Sequence, residues 1–179
     1  THTEGVGHIT RTPIAVCDIL KDSLIPATLI TVSPKEGRHD SDTYIPRLRA
    51  HDTVITRDQI HRALLGCDRD FLEALIVRTL PNAPDKRTKN YAESRPPFFS
   101  FEAMNYIVSC GVKHLLVDVP SIDRLDDEGK LTNHHLFWGV EQGSHETAEP
   151  SRKTITELVY VPDGIESGTY LLNLQVAPL

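Results

Sequence analysis

Cysteine is scarce in this chain: Cys17, Cys67 and Cys110 are widely spaced and odd in number, which excludes a paired disulfide framework or a compact cysteine-based zinc module. They read as reduced, mostly buried thiols. No apolar run is long enough to span a bilayer, and no basic-then-apolar leader opens the sequence, so no membrane partner is expected. Basic excess is missing as well. Lys+Arg number 19 against 25 Asp+Glu, a net charge of -6, and no lysine- or arginine-rich block occurs, which argues against a nucleic-acid partner. No internal repeat or low-complexity tract breaks the chain. The remaining composition, 39% hydrophobic and 25% charged over 179 residues, is that of a globular protein with room for one domain, residues 1–179, expected in the cytoplasm.

Histidine is what the chain has in plenty, nine in all, and the first cluster is the opening stretch Thr1-His2-Thr3-Glu4-Gly5-Val6-Gly7-His8. In an extended backbone His2 and Glu4, at i and i+2, face one side, and His8 approaches from the next turn. Imidazole and carboxylate are ligands for a divalent ion such as zinc or manganese. The competing reading is a solvated terminus with scattered histidines. Because no methionine opens the sequence, the chain also reads as a trimmed piece. That admits Thr1 as an N-terminal nucleophile with its own amine as base, a chemistry that needs a buried, extended first strand.

Further along, Pro13 to Leu20 reads as a short helix with Ile14, Val16, Cys17 and Leu20 on its apolar side, and Ala27 to Ser33 as a β-branched strand stopped by Pro34. The polar stretch from Pro34 to Thr53 reads as a mobile loop or lid carrying His39, Asp40 and His51 as solvated residues. Thr56 caps a helix with Asp58 in its first turn and Gly66 at its end. Phe71 to Thr79 reads as a strand buried on both faces at Leu75-Ile76-Val77.

Past the proline-rich loop 81–97, Ser100 caps a helix over Phe101 to Cys110 that Gly111 stops. Val112 to Val119 is then a strand entering a turn where Asp118 and Asp123 flank Pro120-Ser121. Those aspartates either face a ligand at the carboxyl end of the strand or cap the turn. Asn133 to Trp138 holds the second cluster, His134-His135. In an extended segment at most one of these faces a shared metal while the other orients it or packs. Strands over Lys153 to Val161 and Thr169 to Ala177 close the chain. Glu157, amid apolar neighbours, is either an outward strand residue or a buried ligand neutralised by a metal.

The order Thr1-His2-x-Glu4-x-x-x-His8, Gly111-Val112-x-His114-Leu115-Leu116-Val117-Asp118-x-Pro120-Ser121-x-Asp123, His134-His135 and Ile155-Thr156-Glu157-Leu158 resembles the metal-dependent cyclase and hydrolase family that includes bacterial kynurenine formamidase. That family's signature is His-x-Gly-Thr-His-x-Asp-x-Pro-x-His. Its second half is present here, with Glu4 for the aspartate and Val6 for the proline, and its first histidine would lie upstream of Thr1. The resemblance implies an α/β fold of the swivelling β/β/α type lacking its N-terminal part, assembled as a dimer or tetramer. It implies His2 and Glu4 as metal ligands, His134 and Glu157 completing a second metal position, His8 as the proton-transfer residue, and Asp118 and Ser121 in support. Phe137 or Trp138 would line the pocket.

The expected activity is hydrolysis of an amide or ester bond of a small formamide-, lactam- or acyl-type substrate by metal-activated water, with zinc or manganese as the cofactor. The longer Glu4 side chain leaves the number of metals open. The alternative is a non-catalytic, ligand-binding relative with an incomplete metal site.

Overall fold

The computed structural model describes residues 1–37 and 41–177; His39 and Asp40 of the expected polar loop lie outside these. Among the described residues the strands are β1 (His2–Glu4), β2 (Ile25–Val32), β3 (Lys35–Glu36), β4 (Thr53–Ile55), β5 (Ala74–Thr79), β6 (Phe98–Phe99), β7 (His114–Val117), β8 (Thr154–Glu157) and β9 (Gly168–Leu172). The α-helices are α1 (Val16–Ile19), α2 (Arg57–Ala63), α3 (Phe101–Ser109) and α4 (Thr132–Trp138). The large sheet has the order β1-β8-β7-β5-β2-β9, and a small one has the order β3-β4-β6. The centre of the large sheet, from β8 to β2, is parallel, whereas β1 and β9 add antiparallel at its two edges. Parallel strands need cover on both faces, which explains the apolar runs Leu75-Ile76-Val77 and Leu115-Leu116-Val117.

Alternation sorts the side chains into two layers. Ile30, Val32, Leu75, Val77, Leu115, Val117 and Ile155 face the main core with Ile60 of α2, Met104 and Ile107 of α3, and Phe137 of α4. Ile25, Ala27, Ala74 and Leu116 face the other side and make a smaller cluster. The small sheet obeys the same period of two. Ile55 and Phe99 enter the main core, while Val54 and Phe98 turn to Tyr44 on the opposite side.

Helix α2 begins with Thr56 N–H donating to Gln59 Oε1 at 2.9 Å, and α3 with Ala103 N–H donating to Ser100 Oγ at 3.0 Å. Gly66 and Gly111 follow these helices with φ of 76° and 81°.

Four expectations change. The helix over Pro13 to Leu20 contracts to Val16–Ile19, because Ile14 packs in the main core and Leu20 in the cluster across the sheet, which one continuous helix cannot do. The strand expected from Lys153 to Val161 ends at Glu157, since Leu158 takes a φ of 56°. The loop before β4 is no lid over residues 41–53: Thr43 N–H and Oγ1 both bond Glu102 at 2.6 Å, and Tyr44 is 3% exposed. Asn133 to Trp138 is a helix rather than an extended segment. The carboxylate of Asp123 accepts from Asn133 N–H at 2.8 Å and His134 N–H at 3.1 Å. Satisfying these helix N-terminal donors outweighs the β preference of Phe137 and Trp138.

Candidate metal centre

The register of β1 on β8 sets His2 opposite Glu157 and Glu4 opposite Ile155. Since Ile155 points into the main core, His2, Glu4 and Glu157 share that face of the sheet. A single turn of 3-10 helix, Val6–His8, then carries His8 back over Glu4. Gly7 eases this return, because a Cβ there would crowd the Thr12 carbonyl oxygen at 3.2 Å. Helix α4 brings His134 in from above.

The resulting cluster is compact. His134 Nε2 lies 2.8 Å from Glu4 Oε1 and 3.7 Å from Glu157 Oε1. His8 Nδ1 is 3.1 Å from Glu4 Oε2, and His2 Nε2 is 3.7 Å from that oxygen and 3.4 Å from Glu157 Oε2. One ligand atom from each of Glu4, His8 and His134 falls within 4.8 Å of the others. Glu4, Glu157 and His134 are buried, while the His8 and His2 side chains are 45% and 52% exposed at the edge. A cleft of about 600 Å³ opens beside Glu4 and His8.

His134 is held from behind. Its Nδ1 lies 2.6 Å from Asp123 Oδ2, and Asp123 Oδ1 in turn accepts from Tyr44 Oη at 2.6 Å. With Nδ1 bonded to a carboxylate, Nε2 is the nitrogen turned to Glu4. Burial works against charge on His134, but the bonds from Asp123 and Glu4 outweigh it and hold the imidazolium up to about 10. Burial likewise opposes ionisation of Asp123, and the His134 and Tyr44 bonds overcome it, keeping that carboxyl below its ordinary range. Burial pushes Glu157 up to about 7, opposed by His134 and reinforced by Glu4. His8 is lowered by burial, against the pull of Glu4.

These residues fit a divalent cation. Two buried carboxylates and three imidazoles converge, and among the described residues neither Glu4 nor Glu157 is paired with a lysine or arginine. The raised carboxyl of Glu157 and the proton held on His134 are what such a donor set shows when a positive charge is wanted at its centre. The nitrogen and oxygen donors suit a borderline ion.

The sequence-derived site residues His2, Glu4, His8, His134 and Glu157 thus come together in space. His8 lies close enough to Glu4 and His134 for either ligation or proton transfer. Glu157 is the buried rather than the outward case, and Ser121 supports it through a side-chain hydrogen bond. Ile122 N–H adds a bond to Glu157 Oε1 at 2.9 Å. Asp118 is engaged elsewhere, bonded to Thr79 N–H, Thr79 Oγ1 and Lys86 Nζ, each at 2.8 Å. His135 contributes no ligand atom to the group, and His51 is exposed on its loop.

Both aromatics are buried in the main core, and Trp138 also borders the site, its ring centroid 5.4 Å from that of His134 and 6.3 Å from that of His8. Thr1 is exposed and donates its hydroxyl to the Leu158 carbonyl at 2.5 Å, which removes the buried setting that an N-terminal nucleophile needs. Tyr44 was not foreseen. It stands in a polar loop, and only its contact with Asp123 gives it a part in the site.

Over residues 1–124 the chain matches the profile of the Cyclase family, described as "Putative cyclase". Among solved structures it is similar to that of a potential metal-dependent hydrolase with cyclase activity, at 17% identity and a TM-score of 0.57, over 96% of this chain and 67% of that one. A second similar structure is a predicted metal-dependent hydrolase from Bacillus stearothermophilus, at 16% identity and a TM-score of 0.54, over 94% of this chain and 64% of that one. At such identities the likeness is one of fold, and the expected cyclase-like α/β architecture is the one observed. The chain spans about two thirds of the length of these structures. No curated protein matches it.

Proposed function

Given that the chain belongs to the cyclase family, we propose that it is a metal-dependent hydrolase that opens an amide or ester bond of a small formamide-, lactam- or acyl-type substrate, with zinc or manganese as its ion. The observation that carries this reading is the convergence of Glu4, His8 and His134, with ligand atoms within 4.8 Å of one another, at an open cleft. A divalent ion supplies Lewis acidity, polarising a carbonyl and making water more acidic.

The chain's own residues do the rest. Glu4, His134, Glu157 and His2 would hold the cation, and Asp123 fixes the ring of His134. His8, kept neutral near pH 7 by its burial, takes a proton from the water that attacks the carbonyl carbon. It returns that proton to the leaving nitrogen or oxygen as the C–N or C–O bond breaks. Trp138 shields one side of the site from solvent.

A second copy of this chain is the expected partner, as a dimer or tetramer. The exposed Tyr170 and Leu171 on edge strand β9, 37% and 61% accessible, support such an assembly. Three free cysteines suit a cytoplasmic setting.

The test is metal analysis of the protein, followed by formamide and ester hydrolysis with and without chelator. Bound zinc or manganese together with chelator-sensitive turnover is expected. Absence of both would leave a ligand-binding relative in place of an enzyme. Changing His8 to alanine should lower kcat by about 10²–10⁴-fold with metal content retained. Normal turnover would remove His8 as the base, and loss of the metal would make it a ligand instead.

A further inference from the structure

The cleft of about 600 Å³ beside Glu4 and His8 has one apolar wall, formed by Pro13, Ile14, Ala15 and Val16. Ile14 is rooted in the main core, and Val16 opens α1. Two glycines bring this wall against the turn that carries His8. A Cβ at Gly5 would lie 2.9 Å from Ile19 Cδ1 and 4.0 Å from Val16 Cγ2. One at Gly7 would lie 3.2 Å from the Thr12 carbonyl oxygen and 3.6 Å from that of Ile14. A side chain at either position would crowd the segment 12–19, so the absence of both keeps the apolar wall next to His8.

The fixed charges at the cleft are of one sign. Among the described lining residues Glu4 and Asp18 are acidic, and no lysine or arginine occurs. Cations of the neighbouring chain are turned to other partners: Lys21 pairs with Asp18 at 3.6 Å, Arg11 pairs with Glu146 at 3.7 Å, and Arg152 donates to the Asp18 carbonyl at 3.4 Å. Lys86, Arg87 and Lys89 line a different cleft that shares no residue with this one. A carboxylate laid on the apolar wall would lose water and gain no counter-charge. An aliphatic chain there buries its CH2 groups at no such cost.

On the reading of this centre as hydrolytic, His8 returns its proton to the leaving nitrogen or oxygen, so the wall beside His8 receives the leaving group. We propose that the cleft selects an uncharged amide or ester whose leaving amine or alcohol carries an aliphatic chain, laid along Pro13 to Val16. Water adds its hydroxyl to the acyl carbon as the C–N or C–O bond breaks, and its proton passes by way of His8 to the departing atom.

Alkyl acetates and the metal-loaded protein test this. Unbranched primary alcohols leave with similar intrinsic ease, so differences in kcat/KM among their esters report the cleft. A fully buried CH2 is worth about fourfold and one covered on a single side about twofold, so hexyl acetate should exceed ethyl acetate by about tenfold. Isohexyl acetate should exceed γ-acetoxybutyrate, its carboxylate-bearing isostere, by at least about tenfold. Ala15→Arg and Pro13→Lys, both at exposed positions of the wall, should each narrow that gap by roughly tenfold, read on whichever keeps the parent melting temperature. A binding measurement needs no turnover: N-hexylacetamide added to the metal-free protein should shift the backbone amide NMR signals of residues 12–16 in the millimolar range, and γ-acetamidobutyrate should not. Equal rates for hexyl and ethyl acetate, a preference for the carboxylate, or shifts confined to other segments would overturn the proposal and leave hydrolysis standing. Absence of all turnover would instead remove the hydrolytic reading, and the NMR titration then decides alone whether the cleft takes an aliphatic chain.

Discussion

Replacing Asp123 with asparagine removes one charge from the deepest part of the candidate metal centre while keeping its shape. Asp123 Oδ1 accepts from Tyr44 Oη and Asn133 N–H at 2.6 and 2.8 Å, so an asparagine would keep its oxygen there and turn its amide toward His134. That places donors against the His134 N–H and against Nδ1, which in the parent donate to the carboxylate at 3.1 and 2.6 Å. The ring escapes by losing its proton from Nδ1 and keeping one on Nε2, the nitrogen that faces Glu4.

The rise of His134 from 6.5 to about 10 corresponds to roughly 5 kcal/mol in favour of the imidazolium. Asp123 and Glu4 share it, so the variant should lose about 2–3 kcal/mol of metal-free stability near pH 6, read by urea denaturation. The pKa is raised on folding, so this stability is fully present below pH 6.5 and disappears as the pH climbs through about 10. In the variant that slope should flatten by about half. Metal affinity should fall by about 10–100-fold, because an Nε2 that carries the proton cannot ligate. Stability within about 0.5 kcal/mol of the parent together with unchanged metal affinity would refute the relay from Asp123 through His134.

Proton release gives a second test. With His134 holding its proton to about 10 and Glu157 to about 7, a cation must displace protons, so its affinity in a competition titration should rise by up to about tenfold per pH unit between pH 7 and 9, and more steeply below pH 7 where both groups release one; a flat profile would contradict the ligand set. The raised Glu157 carboxyl acts in the same direction on the metal-free protein, its stabilising protonated form being lost as pH rises from 4.5 through about 7, so saturating metal should reduce the fall in melting temperature over that window. Tyr44→Phe deletes a donor to a buried carboxylate and should cost about 1.5–3 kcal/mol in urea, with a smaller loss of metal affinity than Asp123→Asn. Phe99→Ala empties a fully buried position in the main core and should cost about 3–5 kcal/mol while leaving the affinity of the folded protein for metal unchanged.

The elements that carry their own instructions were the legible ones. Helices α2 and α3 have a cap residue at one end and glycine at the other, and β2, β5 and β7 are apolar runs bounded by proline, glycine or charge; each forms within a few residues of the expected place. Helix α4 was not legible, because its N-terminus is capped from outside. Leu131 at the cap position offers no side-chain acceptor, and the carboxylate that satisfies the first turn belongs to Asp123, in the preceding turn of the chain. A local reading of Asn133 to Trp138 sees β-favouring aromatics and misses the remote acceptor. The same holds for the loop before β4, whose polar composition suggested freedom although Tyr44 and Thr43 anchor it to Asp123 and Glu102.

The site itself was legible as residue types and only partly as roles, and the topology explains why. His2, Glu4 and His8 are close in sequence, so their spacing alone shows that they can share a face. Glu157 is brought in by the antiparallel addition of β1 to β8, which joins residues 2–4 to residues 154–157 at one sheet edge, and His134 by helix α4. An edge strand of three residues has few ladder bonds of its own, and the carboxylates it brings together, Glu4 and Glu157, repel each other at the point of contact. Without a cation, β1 is held against that repulsion by His134 and the side chains of Val6 and Ile9, buried just beyond it in the main core. With one, the repulsion becomes ligation across the strand pair. On the proposed ligand set, cation binding and the docking of β1 would be two sides of one equilibrium, and an ion present at about 100 times its dissociation constant would add about 2.7 kcal/mol to the docked state. A helix-borne site would keep its ligands positioned by local bonds; in the proposed site His2 and Glu4 are positioned by a strand pairing that a bound cation would reinforce.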